Sequence, residues 1–268
     1  AASTFGISYT GDQGQSNGMV SSLGPYSFQV SPSNYAWGIQ PTGSGWTPGN
    51  ITLRIQNQSG NVINELSISY KVWILNNEPR ANSFNFSFSD NNQNYTSVSS
   101  MNVISTESAE SPSPAWRSYI RVVRLTGLNI PSNGYFFLRW FGDDSGGSGS
   151  RDEFGLDDIS VIANPTSTQH FFSGVFEEVL INDNATFNNN SSINGQLLIN
   201  SGVLTITSNK QLTLTGTLTN NGTLTLENGA TLVQGSNSTL SGNGTYNVKQ
   251  DITGTNNGSA PNGRFWYL

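Results

Sequence analysis

The stretch RWFGDDSGGSGSRDEFGLDDISV (residues 139–161) gathers six carboxylates, Asp143, Asp144, Asp152, Glu153, Asp157 and Asp158, around a glycine-rich loop and ahead of an apolar strand. Three kinds of chemistry compete for such a set. Calcium takes about six to eight oxygen ligands, part carboxylate and part backbone, and Asp152, Glu153, Asp157 and Asp158 could contribute to them. Asp157 and Asp158 are neighbours in a predicted strand, so they should point to opposite faces, and only one can serve a given interior site. In the second reading Arg139 and Arg151 pair with the acids and the loop is merely solvated. In the third, two carboxylates about 5–10 Å apart hydrolyse glycosides, but that needs a lined cleft, which no other stretch proposes. The run Asp144-Ser-Gly-Gly-Ser-Gly-Ser lacks the alternating acids of an EF-hand loop.

Sugar recognition is suggested by aromatics beside Pro and Gly: Tyr35 and Trp37 in SNYAWG, Trp46 in GSGWTPG and Trp116 in SPSPAW. Exposed rings stack on the apolar faces of sugars, with Arg117 and Arg80 as partners for hydroxyls or carboxylates. The competing reading is that these rings cap the open ends of a sandwich. Trp73 and Trp140 sit within strand patterns and read as core. His170 is the single histidine. It has no second histidine for a metal and no nucleophile context, so it reads as a packed or exposed linker residue. The glycine-rich run at 11–18 lacks the lysine and following helix of a phosphate loop.

The elements that must position these groups are strands. Of 268 residues, 34% are hydrophobic and only 10% charged. Polarity comes from Ser, Thr, Asn and Gly, which suit turns and strand faces and do not favour helices. The net charge is −6 with no Lys/Arg cluster, which argues against nucleic acid. Low charge also weakens electrostatic steering, so binding should depend little on salt. No apolar run approaches the roughly 20 residues of a membrane span. A cysteine-free chain of this size can fold without disulfides, and with Thr/Asn/Gly-rich β sequence it fits a bacterial exported protein. The opening Ala-Ala-Ser-Thr reads as a mature N-terminus after signal cleavage or as a cut through a longer chain.

Residues 50–58, 65–75, 82–90, 117–125, 134–141 and 155–162 carry strand patterns, with Ile51, Leu53 and Ile55 on one face and Phe84, Phe86 and Phe88 on another. Period-two strands with turns every 8–12 residues or so predict a β-sandwich or barrel. A jelly roll over 1–163 is the most economical form. Composition changes at Asn164-Pro165-Thr166-Ser167, and 164–175 reads as a linker. Beyond it a Gly-x-apolar-x-apolar unit recurs at Gly195, Gly202, Gly222 and Gly244. The larger spacing of about 20 residues is that of a repeat solenoid, so 176–268 is expected to be a β-solenoid with Asn and Gly at its corners. A meander of hairpins around the Asn-Gly turns is the alternative. The closing GRFWYL reads as a cut through a longer chain.

Two stretches carry a resemblance. VINELSISYKVWILNNEPRANSFNFSFSDN resembles a strand pair of jelly-roll modules in large exported proteins of Bacteroidota-type bacteria, matching at Ser69, Tyr70 and Trp73 but departing at Lys71-Val72. FLRWFGDDSGGSGSRDEFGLDDISV is similar to the closing stretch of the same module, and LDDISV resembles the last strand of carbohydrate-binding and MAM-type jelly rolls. The C-terminal part is similar to Thr/Asn/Gly-rich repeats of surface adhesins, those of gliding motility and type IX secretion being nearest in style. The resemblance implies a structural calcium ion held by an acid at this place together with backbone oxygens near the N-terminus: Asp158 first, then Asp157, with Asp152 or Glu153 contributing. It implies a non-enzymatic adhesin segment at the bacterial cell surface, its jelly roll presented on a β-stalk to a glycan or surface polymer. The alternatives are a structural filament or surface-layer segment without ligand, and an accessory module of a secreted hydrolase.

Overall fold

The computed structural model describes residues 13–167 and 170–250; the opening Ala-Ala-Ser-Thr and the closing GRFWYL lie outside them. Among the described residues there is no α-helix, only a 3-10 turn at Ser99–Met101, and no helix long and apolar enough to cross a membrane. The chain is all-β.

The first strands are β1 (Gln15–Ser16), β2 (Gly24–Ser31), β3 (Asn34–Gln40), β4 (Gly49–Gln56), β5 (Leu66–Leu75), β6 (Arg80–Ser89), β7 (Thr96–Ser97), β8 (Val103–Ile104), β9 (Trp116–Leu125), β10 (Tyr135–Gly147) and β11 (Glu153–Ala163). They form two sheets, one ordered β1-β2-β3-β11-β5-β9 and the other β4-β10-β6-β7, with β8 also on β6. The alternation read from the sequence places one face of each in a shared core that includes Ile68, Tyr70, Phe84, Phe86, Leu138 and Trp140. The opposite face of β4 and β10 is left to solvent.

One local expectation fails. Asp157 and Asp158 do not point to opposite faces, because β11 is bulged: its register against β5 shifts between Asp157 and Ser160, and Asp158 has φ 49°. A bulge cancels the alternation on which the expectation rested.

The second region is a parallel solenoid, and the hairpin meander is ruled out by its pairing. Its strands are β12 (His170–Asn182), β13 (Ala185–Ser201), β14 (Val203–Ile206), β15 (Gln211–Leu214), β16 (Thr217–Asn220), β17 (Thr223–Leu226), β18 (Thr231–Gln234), β19 (Thr239–Ser241) and β20 (Thr245–Val248). Ala185 lies beside Leu204, Leu204 beside Leu224 and Leu224 beside Tyr246, all in parallel register. The roughly 20-residue repeat is therefore one coil. β13 bends through three faces, pairing in turn with β14, β15 and β16. Phe187, Ile193, Leu197, Ile206, Leu212 and Leu218 fill the interior at 0% exposure.

The two regions share a sheet. β9 pairs antiparallel with β5 on one side and parallel with β12 on the other. Its alternate residues serve different cores: Val123 and Leu125 face the sandwich, while Ile120 and Val122 start the solenoid interior. Register then stacks Ile120, Val179, Leu197 and Leu218 in one column. The linker expected over 164–175 is correspondingly shorter, since β12 begins at His170. The pull is polar as well as apolar: His170 is buried at 2% exposure and bonded to β5, as described below.

Candidate functional site

The acidic stretch divides into three environments. Asp144 accepts from Arg151 Nη2 at 2.6 Å and Arg80 Nη1 at 2.7 Å, and these guanidiniums, Arg151 foremost, hold its carboxyl below the usual range. Asp158 pairs with Lys71 at 2.5 Å, while Asp157 Oδ2 accepts from Trp73 Nε1 at 3.2 Å and Asn34 Nδ2 at 3.1 Å. Asp152 and Glu153 are fully buried. Asp152 accepts from the Glu78 amide at 3.0 Å and Glu153 from the Val20 amide at 2.9 Å. Burial pushes Asp152 up to about 6 and Glu153 to about 7. The four acids singled out for calcium thus have separate protein partners. Among the described residues no group of three or more His, Asp or Glu is arranged to hold a metal. Lys71 meets Asp158 through Oδ2 alone, and the Asp158 side chain is 60% exposed.

The loop aromatics do not gather either. Trp46 is buried at 3% exposure, because Gly49 and Gly142 leave the space its ring fills. Trp37 is half-buried against the core. Trp116 packs on Phe28 and donates from Nε1 to the Asn17 carbonyl at 2.9 Å. Arg117 is engaged by Glu110 and Glu177. Tyr35 alone of the set is exposed, at 43%. It lies on β3, which β11 and β5 separate from Trp116 and Arg117 on β9.

A histidine–serine–aspartate cluster lies at the junction, where sequence reading saw only a linker residue. His170 Nε2 meets Ser67 Oγ at 2.8 Å and Nδ1 meets Ser69 Oγ at 2.9 Å. Ser67 Oγ also donates to Asp183 Oδ2, and Asp183 Oδ1 accepts from Arg124 Nε at 3.0 Å. Proton bookkeeping fixes the tautomer. The Ser67 hydrogen goes to Asp183, so Nε2–H donates to Ser67 and Ser69 donates to Nδ1. In this arrangement the imidazole offers Ser67 no acceptor, and the cluster joins β5, β9 and β12.

What the fold does assemble is the outer face of the β4–β10–β6 sheet. Tyr135, Phe137, Arg139 and Phe141 alternate outward along β10 while Phe136, Leu138 and Trp140 are buried. Register places Arg54 beside Phe137, Thr52 beside Arg139 and Asn50 beside Phe141. On the other flank Ser87 lies beside Arg139 and Asn85 beside Phe141. The Arg139 guanidinium lies 3.5 Å from the centre of the Tyr95 ring, and that of Arg54 4.9 Å from Tyr135. Arg139 Nε also donates to Thr52 Oγ1 at 3.2 Å. The expected pairing of Arg139 with the acidic loop does not occur. The signal for this face was present in GYFFLRWF, whose even positions are core and whose odd positions must then face water. Comparison with protein-family models, curated proteins and solved structures finds no match to this chain.

Proposed function

We propose that this chain is a non-enzymatic segment of an exported cell-surface adhesin, whose sandwich, a jelly roll in this reading, binds glycan and is carried on the solenoid as a stalk. The observation that carries the reading is the outer row of Tyr135, Phe137, Arg139 and Phe141, bordered by Asn50, Thr52 and Asn85. Aromatic faces cover the apolar side of a sugar ring, and amide, hydroxyl and guanidinium groups take its hydroxyls. The shared sheet through β9 supports the stalk, since load on the solenoid passes into the sandwich through backbone hydrogen bonds. The experiment is retention of the chain on a panel of immobilised polysaccharides. Phe141→Ala is expected to lower retention on the bound glycans at least severalfold, and Tyr35→Ala, on the other sheet, to leave it unchanged. Equal effects of both, or of neither, contradict the reading.

A second reading, a structural filament, draws on the exposed Leu240, Tyr246 and Val248 of the last described coil. Concentration-dependent linear assembly without glycan, seen by sedimentation, would favour it.

A further inference from the structure

Seven of the described cations, Lys71, Arg80, Arg117, Arg121, Arg124, Arg151 and Lys249, lie within 4.0 Å of a carboxylate. Arg54, Arg139 and Lys210 are outside this set. In a chain of net charge −6 that is selective, and two of the three stand on adjacent strands of one outer face. Arg54 is opposite Phe137, so Arg54 and Arg139 are diagonal neighbours. Such positions are about 7–8 Å apart.

Each guanidinium also lies beside a tyrosine ring. Tyr95 lies against Arg139 and, with the bond to Thr52, orients its planar fork; Tyr135 lies beside Arg54 at 4.9 Å. The bond from Arg139 Nε to Thr52 leaves its two terminal nitrogens unspent. A planar fork of N–H groups matches the two oxygens of a carboxylate. Neutral sugars need no such charge, and Asn50, Gln56 and Asn85 already line the same face for hydroxyls.

We propose that this face takes a carboxylated polysaccharide of the uronic-acid type, with Arg54 and Arg139 each receiving a carboxylate, Phe137 beside Arg54 and Phe141 beyond Arg139 supporting the sugar rings. The proposal rests on the glycan-binding reading above and names its ligand class. A polymer is indicated because the face is an open sheet: a small acid would stay largely in water, whereas a chain can follow β4 and β10. Asp143 lies beyond Phe141 on β10, beside Ser83, and its charge keeps the ligand's carboxylates toward the Arg54 end.

The test is binding of the intact chain to polygalacturonate and to the same polymer methyl-esterified, by calorimetry at low and high salt. The expected result is binding at least tenfold tighter to the free acid, weakened at least tenfold by Arg54→Gln and by Arg139→Gln, and weakened by salt. Arg54 is exposed, so its replacement leaves the fold intact, and Lys210→Gln serves as a control expected to bind like the parent. Equal affinity for acid and ester, unchanged binding by both arginine variants, or binding only to neutral glycans overturns the proposal while leaving a glycan-binding face. Tighter binding to a sulfated polymer or to DNA also overturns it. Absence of binding to any polysaccharide overturns this proposal and the adhesin reading together.

Discussion

Arg139 and Asp144 lie on one strand and end in opposite states, the arginine stacked on a tyrosine without a carboxylate and the aspartate held by two arginines. Alternation in GYFFLRWF made the outward direction of Arg139 legible. Which acid would be neutralised by which cation was not legible, because Arg80 and Lys71 come from strands distant in sequence. The bulge at Asp158 was hidden for a similar reason: no residue type announces it. The buried pair makes a prediction at this scale. Unfolded carboxyls titrate near pH 4, and folded Asp152 and Glu153 near 6 and 7. Their protonated forms are favoured by folding, so their contribution is present at low pH and lost as pH rises through 7. Asp152→Asn is expected to raise stability at pH 8 by about 1–3 kcal/mol and to change little near pH 4. Thermal unfolding across pH checks this; destabilisation at pH 8 would contradict it.

Strands were legible as elements, and the Gly-x-apolar-x-apolar unit revealed the coil, because both depend on local period. That β9 serves two cores was not, since its pattern does not say which neighbour each face meets. The junction carries its own pH dependence. Burial lowers the His170 pKa, against an opposing effect of Asp183, so below about pH 6.5 the unfolded chain binds a proton that the folded chain resists. Stability falls as pH drops through that range. His170→Gln keeps one donor and one acceptor for Ser67 and Ser69, and is expected to lose less of its melting temperature on acidification than the parent. A parallel decline of the two would contradict the assignment of that proton. Within the solenoid, a Cβ at Gly216 would lie 1.7 Å from the Gly195 carbonyl oxygen. Gly216→Ala is expected to destabilise by about 1–3 kcal/mol or more, measured by denaturant unfolding. Leu197→Ala, in the shared column, is expected to cost about 2–5 kcal/mol.

At the scale of the molecule, sparse charge implies binding that depends little on salt. The whole-chain number concealed how the charges are distributed: most cations are paired, and two unpaired arginines are concentrated on one face. All-β class and the solenoid could be read from composition and period. The full outer face proposed to bind could not, because it is made by register between strands that are far apart in sequence. The most direct measurement is hydrogen exchange of the intact chain with and without a polysaccharide it retains. Added protection is expected over residues 50–56 and 135–143, with the β2–β3 edge and the solenoid unchanged. Protection confined to β3, β11 or the solenoid coils would contradict it.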